Sequence, residues 1–256
     1  MKGYLVQLFA VADAELRKLR HDPWELASRA IQPVFWLLLF GNVMARVRGL
    51  TPQSVPYLDF LAPGILAQST LFVAIFYGIS AIWERDLGVL HRYLVSPAPR
   101  SALVGGKALS SSSRALSQAL VVYVCAATMS VRLSLKPLDI AAATLLIILG
   151  SALFSTFSLI IACIVRTRER FMGIGQVLTM PIFFASNAIY PLALMPPWLQ
   201  IVARINPLTY EVDGLRRVML ARGSSVYGLG EDLTVLALTG VLMIAIATRM
   251  YPRMTE

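Results

Sequence analysis

The sequence predicts an all-α membrane protein. It is read as a polytopic bundle with six transmembrane helices, an N-terminal interfacial amphipathic helix, and short re-entrant or external helices before the last span. Three observations carry that expectation. Hydrophobic residues make up 57% of the 256 positions and charged residues 14%, against about 25% charged in an average soluble chain. The apolar residues gather into six runs separated by charges. The fifth run is too long and too rich in proline to be one straight helix. Together they exclude an ordinary cytosolic enzyme, a disordered chain and a disulfide-stapled secreted scaffold. One membrane domain, residues 1–256, accounts for the length.

The elements follow in order. Over residues 1–22, Tyr4, Leu5, Leu8, Phe9, Ala12, Leu16 and Leu19 fall on one helical face, and Asp13 and Arg17 can pair at i, i+4 on another. Such a helix lies in the membrane interface. Asp13, Glu15, Asp22 and Glu25 leave no cleavable apolar core near the start, so the segment does not read as a signal peptide. The first run, 30–45, is short for the ~20 residues a span needs. Asp22, Pro23 and Glu25 supply an earlier helix start, and Arg29 and Arg46 can snorkel to the headgroups.

Runs 60–83, 115–131 and 140–165 read as spans two to four, and 233–248 as the last. The fifth run, 171–203, would reach about 50 Å as a straight helix. It holds Pro181, Pro191, Pro196 and Pro197, and proline removes a backbone donor and kinks or breaks a helix. The expectation is a span from 171 to about 189, then broken backbone, which at membrane depth needs protein or water around it.

Two connections stand out. In 84–100, Leu87, Leu90, His91 and Leu94 recur at helical spacing among Glu84, Arg85, Asp86 and Arg92. Pro97 and Pro99 stop that helix, and Ser101 is placed to cap the next, leading through Lys107 into span three. Its apolar stripe must be covered by lipid headgroups or by a partner protein. In 187–222, Asn187, Pro191 and Met195-Pro196-Pro197-Trp198 lead to 199–205 and then to Asn206-Pro207-Leu208-Thr209-Tyr210. Thr209 is the expected N-cap of a helix ending near Arg222-Gly223. Trp198 and Tyr210 suit a membrane–water interface.

The net charge of +9 would suggest nucleic acid in a soluble protein; in a membrane protein basic residues report topology, and no nucleic-acid partner is expected. Counted by alternate connections, 15 of the 23 basic residues fall on one side and 8 on the other. The richer side, with both termini, is read as cytoplasmic. The location expected is the cell (inner or plasma) membrane.

Catalytic and metal-binding motifs are not apparent. Gly105-Gly106-Lys107 approaches a phosphate-binding loop, but Ser101 stands where that loop needs glycine and Ala108 where it needs Ser or Thr. Cys125 and Cys163 lie in separate apolar runs, and His21 and His91 are far apart. The spans, bounded by charges, contain none, whereas an ion-coupled transporter usually keeps a carboxylate or His at depth. The energy source is therefore expected in another subunit. Ion-coupled transport, an intramembrane enzyme and a membrane scaffold are the rival readings.

The chain resembles the permease subunits of type-2 ABC exporters (ABC-2 type), the group with daunorubicin- and polysaccharide- or lipo-oligosaccharide-exporter permeases. Glu84, Arg85, Gly88, Leu90, Leu94, Pro97 and Arg100, with Lys107 downstream, carry the first part of the resemblance. Asn187, Pro191, Pro196, Trp198, Leu199, then Asn206 to Tyr210, Asp213, Leu215 and Arg216 carry the second. His91 departs, since relatives often have Glu there. The resemblance implies a half-transporter that dimerises with a second copy or a related permease and works in membrane lipid. It implies two ABC ATP-binding subunits, which bind ATP and Mg, so that this chain needs no cofactor and has no catalytic residue. The coupling helix within 84–100 (Glu84, Arg85, Asp86, Gly88, Leu90, His91, Leu94, Pro97, Arg100) and the N-terminal helix would dock on them. The segment 187–222 (Asn187, Pro191, Trp198, Asn206, Pro207, Tyr210) would form the extracellular gate, and amphipathic drugs, lipids, glycolipids or polysaccharides would be exported.

Overall fold

The computed structural model describes residues 31–44, 46, 56–88, 99–165 and 167–251. The predicted N-terminal helix, and Leu90, His91, Arg92, Leu94 and Pro97 of the 84–100 region, lie outside the described residues. What is described is helical: α1 (Ile31–Met44), α2 (Tyr57–Asp86), α3 (Arg100–Thr128), α4 (Pro137–Ile164), α5 (Arg168–Phe184), α6 (Pro197–Ile205), α7 (Pro207–Met219) and α8 (Leu229–Met250). The described part of each apolar run falls mainly on helix, with the fifth run, 171–203, divided between α5 and α6. By length and composition three of them, α2, α4 and α8, are long and apolar enough to cross a membrane, and α1 is a shorter apolar helix with a π-helical stretch over Trp36–Gly41.

α2 and α4 form the centre. α4 packs on α2, α3, α7 and α8, while α2 also meets α1, α5 and α7. The larger apolar cluster joins Leu61, Ile65, Leu66, Leu146, Phe154, Phe183 and Leu215. A smaller one gathers the opposite ends of α2 (Ile82), α3 (Leu103, Val104), α4 (Ile161, Ala162), α5 (Phe171) and α8 (Ala247).

Small residues let the helices approach closely, as expected where lipid removes any hydrophobic drive between spans. A Cβ on Gly78 would collide with Ser158 of α4 and Phe171 of α5, and one on Gly64 with the Ala188 backbone. Hydroxyls then bridge the helices: Ser151 donates to Ser112 at 2.9 Å, Tyr77 lies 3.1 Å from Ser110, and Ser158 donates to the Ile75 carbonyl. Large apolar side chains face outward instead on α5 (Met172, Val177) and α8 (Leu238, Val241, Leu242).

Several boundaries differ from the sequence expectation. α3 begins at Arg100 behind Pro99, so Ser101 lies inside the helix rather than capping it. α3 therefore carries Lys107 and Arg114 within the bundle, where charge-delimited reading excluded them. α2 stops at Leu87-Gly88, Gly88 taking φ +70°, the left-handed conformation that terminates helices and suits glycine. Leu87 is thus not in register with one uninterrupted helix from Glu84. α5 starts at Arg168, with Thr167 as N-cap, and ends at Phe184 rather than near 189.

Candidate functional site

The segment after α5 makes two short helices around a turn at Asn206-Pro207, as the prolines predict. α6 is amphipathic: Ala203 is buried, while Trp198 (66% exposed), Ile201, Val202 and Ile205 face outward. α7 is the opposite case. From Leu208 to Met219 nearly every residue is buried, because α7 fits between α2, α4 and α8.

Asn206 holds the turn. Its Oδ1 accepts from the Leu208 amide at 3.0 Å, making Asn206 the N-cap of α7 with Pro207 at the first helical position. Thr209, the expected cap, sits inside the first turn, and the helix ends at Met219, short of Arg222-Gly223. The Asn206 Nδ2 donates to the Ile182 and Ala185 carbonyls at 2.7 and 2.9 Å. Those groups belong to the end of α5, where a helix leaves carbonyls without intrahelical partners. Neighbouring carbonyls there are also satisfied: Pro181 by the Ala185 amide, Phe183 by Ser186 and Phe184 by the Tyr190 hydroxyl. Complete satisfaction is what broken backbone requires away from water. Tyr210 extends the turn, donating to the Arg204 carbonyl at 2.8 Å and packing on the Tyr227 ring.

Deeper in, α7 presents Glu211, Asp213 and Arg216. Glu211 is fully buried, with Oε1 2.8 Å from the Thr70 hydroxyl and no partner for Oε2 among the described residues. A Cβ on Gly150 would overlap this carboxylate, so the missing side chain of Gly150 makes its seat. Thr70 and Gly150 stand near the middle of α2 and α4. The chain does carry a carboxylate at mid-bundle, contrary to the expectation from span composition, because it enters on a helix that is not itself a span. Asp213 accepts from Ser225 and from the Val226 and Tyr227 amides, fixing the turn before α8. Arg216 donates to the Asn187 carbonyl at 2.8 Å and lies 3.9 Å from the centre of the Phe60 ring. Phe60, Asn187, Pro191, Asp213 and Arg216 line a cavity of about 160 Å³, and both amide atoms of Asn187 lack partners there among the described residues. Asn187, Pro191, Asn206, Pro207 and Tyr210 thus belong to one assembly around α7, while Trp198 stands apart on the outer face of α6.

The other predicted group lies at the opposite end of α2. Glu84 is buried and pairs with Lys107 of α3 at 2.6 Å. Asp86 pairs with Arg168 of α5 at 2.8 Å and with Arg85 at 3.2 Å, and Arg168 stacks over Trp83. These contacts draw α2, α3 and α5 together. They leave Leu87 (70% exposed) and Gly88 at the outer end of α2, with Arg100 exposed at the start of α3.

Sequence reading missed Glu211 and the Glu84–Lys107 pair. A signal existed for the first: Glu211 lies on the stripe of Leu208, Leu215 and Val218, where an apolar residue is expected on a buried helix.

The ABC-2 type transporter family matches residues 6–220, which includes both ends of this bundle and the α6–α7 pair. The chain belongs to that family. It is 30% identical over 217 residues to a protein named transport permease ycf38 in Cyanophora paradoxa, covering 83% of this chain and 74% of that one. The inner membrane transport permease YadH of Escherichia coli K12 is 24% identical over 258 residues, with 96% and 92% covered. The daunorubicin resistance ABC transporter permease protein DrrB1 of Streptomyces coeruleorubidus is 22% identical over 200 residues, with 78% and 70% covered. Proteins of the ABC-2 family are transmembrane permease subunits of ABC transporters and generally work with an ABC ATP-binding subunit. The chain is accordingly a membrane transporter subunit.

Proposed function

We propose that this chain is the membrane path of an ATP-driven exporter that moves an amphipathic substrate out of the cytoplasm or the inner leaflet. Two copies, or one copy and a related permease, flank the path in the cell membrane. Two ATP-binding subunits hold ATP and Mg and supply the free energy, and no catalytic residue is assigned here. They dock at the Glu84–Arg100 end, and the α6–α7 assembly gates the far side. The observation that carries this reading is the separation of the two assemblies to opposite ends of α2, which lets one rigid helix relate a cytosolic event to the outer gate.

The test is a double Leu90→Ala, Leu94→Ala variant. It should insert normally but fail to co-purify with its ATP-binding subunit or lose coupling of hydrolysis to transport, whereas Ser110→Ala, Ser111→Ala should do neither. Normal binding and coupling in the double Leu variant would sink the docking assignment.

Orientation has its own test. Lys107 and Arg114 run inside α3 and Arg216 is buried; setting them aside leaves 13 basic residues against 7, the same sign as before. In a background without Cys125 and Cys163, a cysteine at the exposed Ser224 position should react with an impermeant reagent from outside, and one at Arg100 only after permeabilisation. The reverse pattern would invert the topology.

Buried Glu211 favours a second reading, ion-coupled transport. Collapsing the proton gradient of vesicles while ATP is supplied separates the two: transport that persists belongs to the ATP-driven reading.

A further inference from the structure

A cleft of about 420 Å³ opens between α1, α2 and α3, away from the α7 assembly. Its lining combines three amides, Gln32, Gln68 and Gln118, with Phe72 and Phe76. The two Phe rings stack, with centres 6.1 Å apart and planes 28° from parallel. Among the described residues, none of those lining the cleft carries a charge.

Gln68 is the decisive residue. It is 2% exposed, and its Nε2 has no hydrogen-bond partner among the described residues. Leaving a buried donor unsatisfied forfeits its hydration with nothing in return, and the large majority of such groups have a partner. A long amide in this position within an apolar bundle is therefore expected to have an acceptor delivered from the cleft. Ser69, on the same lining, donates its hydroxyl to the Leu66 carbonyl at 2.8 Å and makes no bond to Gln68 Nε2 among the described residues.

We propose that this cleft binds the uncharged, oxygen-rich part of an amphipathic molecule, a hydroxyl- or ether-bearing ring such as a glycoside head. An oxygen of the ring accepts from Gln68 Nε2, and its apolar face lies on Phe72 and Phe76. Amides serve such a group well because each offers donors and an acceptor together. The described lining offers no counter-charge to ammonium or phosphate heads, which would be desolvated there at a cost. The volume falls within the ordinary range of small-molecule sites, roughly 300–1,000 Å³. The inference rests on the transport reading for its biological meaning, but the binding event does not need the ATPase.

The experiment uses the full chain in lipid nanodiscs without nucleotide. Octyl-β-glucoside, octyltrimethylammonium and octyl phosphate are titrated below their micellar concentrations while the melting temperature is followed. Octyl-β-glucoside should raise the melting temperature saturably, with at least a tenfold lower half-point than either charged octyl compound. Gln68→Leu keeps the volume and removes the unpaired amide, so the ligand-free protein should melt no lower than wild type. Its octyl-β-glucoside response should shift at least tenfold to higher concentration. Phe76→Leu should weaken the same response without altering the order of the three compounds. An unchanged response in Gln68→Leu, or equal responses to all three compounds, would mean that only the alkyl chain is bound and would overturn the assignment. Failure here would leave ATP-dependent transport untouched, whereas failure of ATP-dependent transport with the glucoside response intact would strike the exporter reading instead.

Discussion

Gly150→Ala is expected to destabilise the purified protein by about 1–3 kcal/mol, the usual cost of forcing an extra carbon into a packed core, and Glu211→Ala added to it is expected to recover most of that loss. The new methyl would occupy the space of the Glu211 carboxylate. That carboxylate is at the end of a flexible side chain, but it is fully buried, so it can move only by dragging α7 away from α2 and α4. The Thr70 contact at 2.8 Å would break with it. Removing the carboxylate vacates the space that the methyl needs. Non-additivity of this kind is the mark of residues in direct contact.

The same pair should report on transport. If α7 is part of the gate, Gly150→Ala alone should lower transport more than it lowers the amount of folded protein, and Glu211→Gln should be tolerated because its amide keeps the size and an acceptor for Thr70. The comparison needs melting curves and transport assays on Gly150→Ala, Glu211→Ala, the double variant and Glu211→Gln. Additive losses in the double variant would show that Gly150 and Glu211 do not form one seat.

The helices were legible because long apolar stretches have one solution in a membrane: every backbone group must be satisfied within the segment. The break after α5 was legible from Pro191, Pro196, Pro197 and Pro207. A signal for the cap existed too, since an Asn before a Pro at the first helical position marks a start; the expected cap, Thr209, lies inside the first turn instead. What was hidden depended on other helices. Lys107 reads as part of the helix leading into span three, and its burial is hidden because its counter-charge, Glu84, comes from α2. Glu211 looked external because α7 is short and polar in sequence, and its seat is made by Gly150, whose contribution is the absence of a side chain. The stripe of Leu87, Leu90, His91 and Leu94 reads as one helix, and the break at Gly88 shows only in its φ of +70°, which ends α2. Of the residues proposed to contact an ATP-binding subunit, Leu90, His91, Leu94 and Pro97 are outside the described residues, and their role stands on resemblance.

Lys107→Met is expected to be among the most damaging single changes in the bundle, because it strands Glu84. The two side chains are 3% and 10% exposed, with Nζ and Oε2 2.6 Å apart. Breaking a buried pair by removing one partner costs about 3–5 kcal/mol, whereas replacing both partners by apolar groups is often neutral or stabilising. Lys107→Met should therefore aggregate or melt early in detergent, and Glu84→Met with Lys107→Met should melt close to wild type. Asp86→Asn offers the contrast: its pair with Arg168 is more than a third exposed on the Asp86 side, and such pairs are worth about 0–1 kcal/mol. Function should divide differently from stability. The Glu84–Lys107 pair fixes the end of α2 against α3, immediately before the exposed Leu87-Gly88 turn. The double Met variant restores packing but gives up the ion pair's orientation of that turn, so it should assemble yet couple ATP hydrolysis to transport less tightly. Melting curves, co-purification with the ATP-binding subunit and the ratio of hydrolysis to transport distinguish these outcomes. A Lys107→Met protein as stable as wild type would refute the buried pair, and a fully coupled double variant would reduce the pair to a structural brace alone.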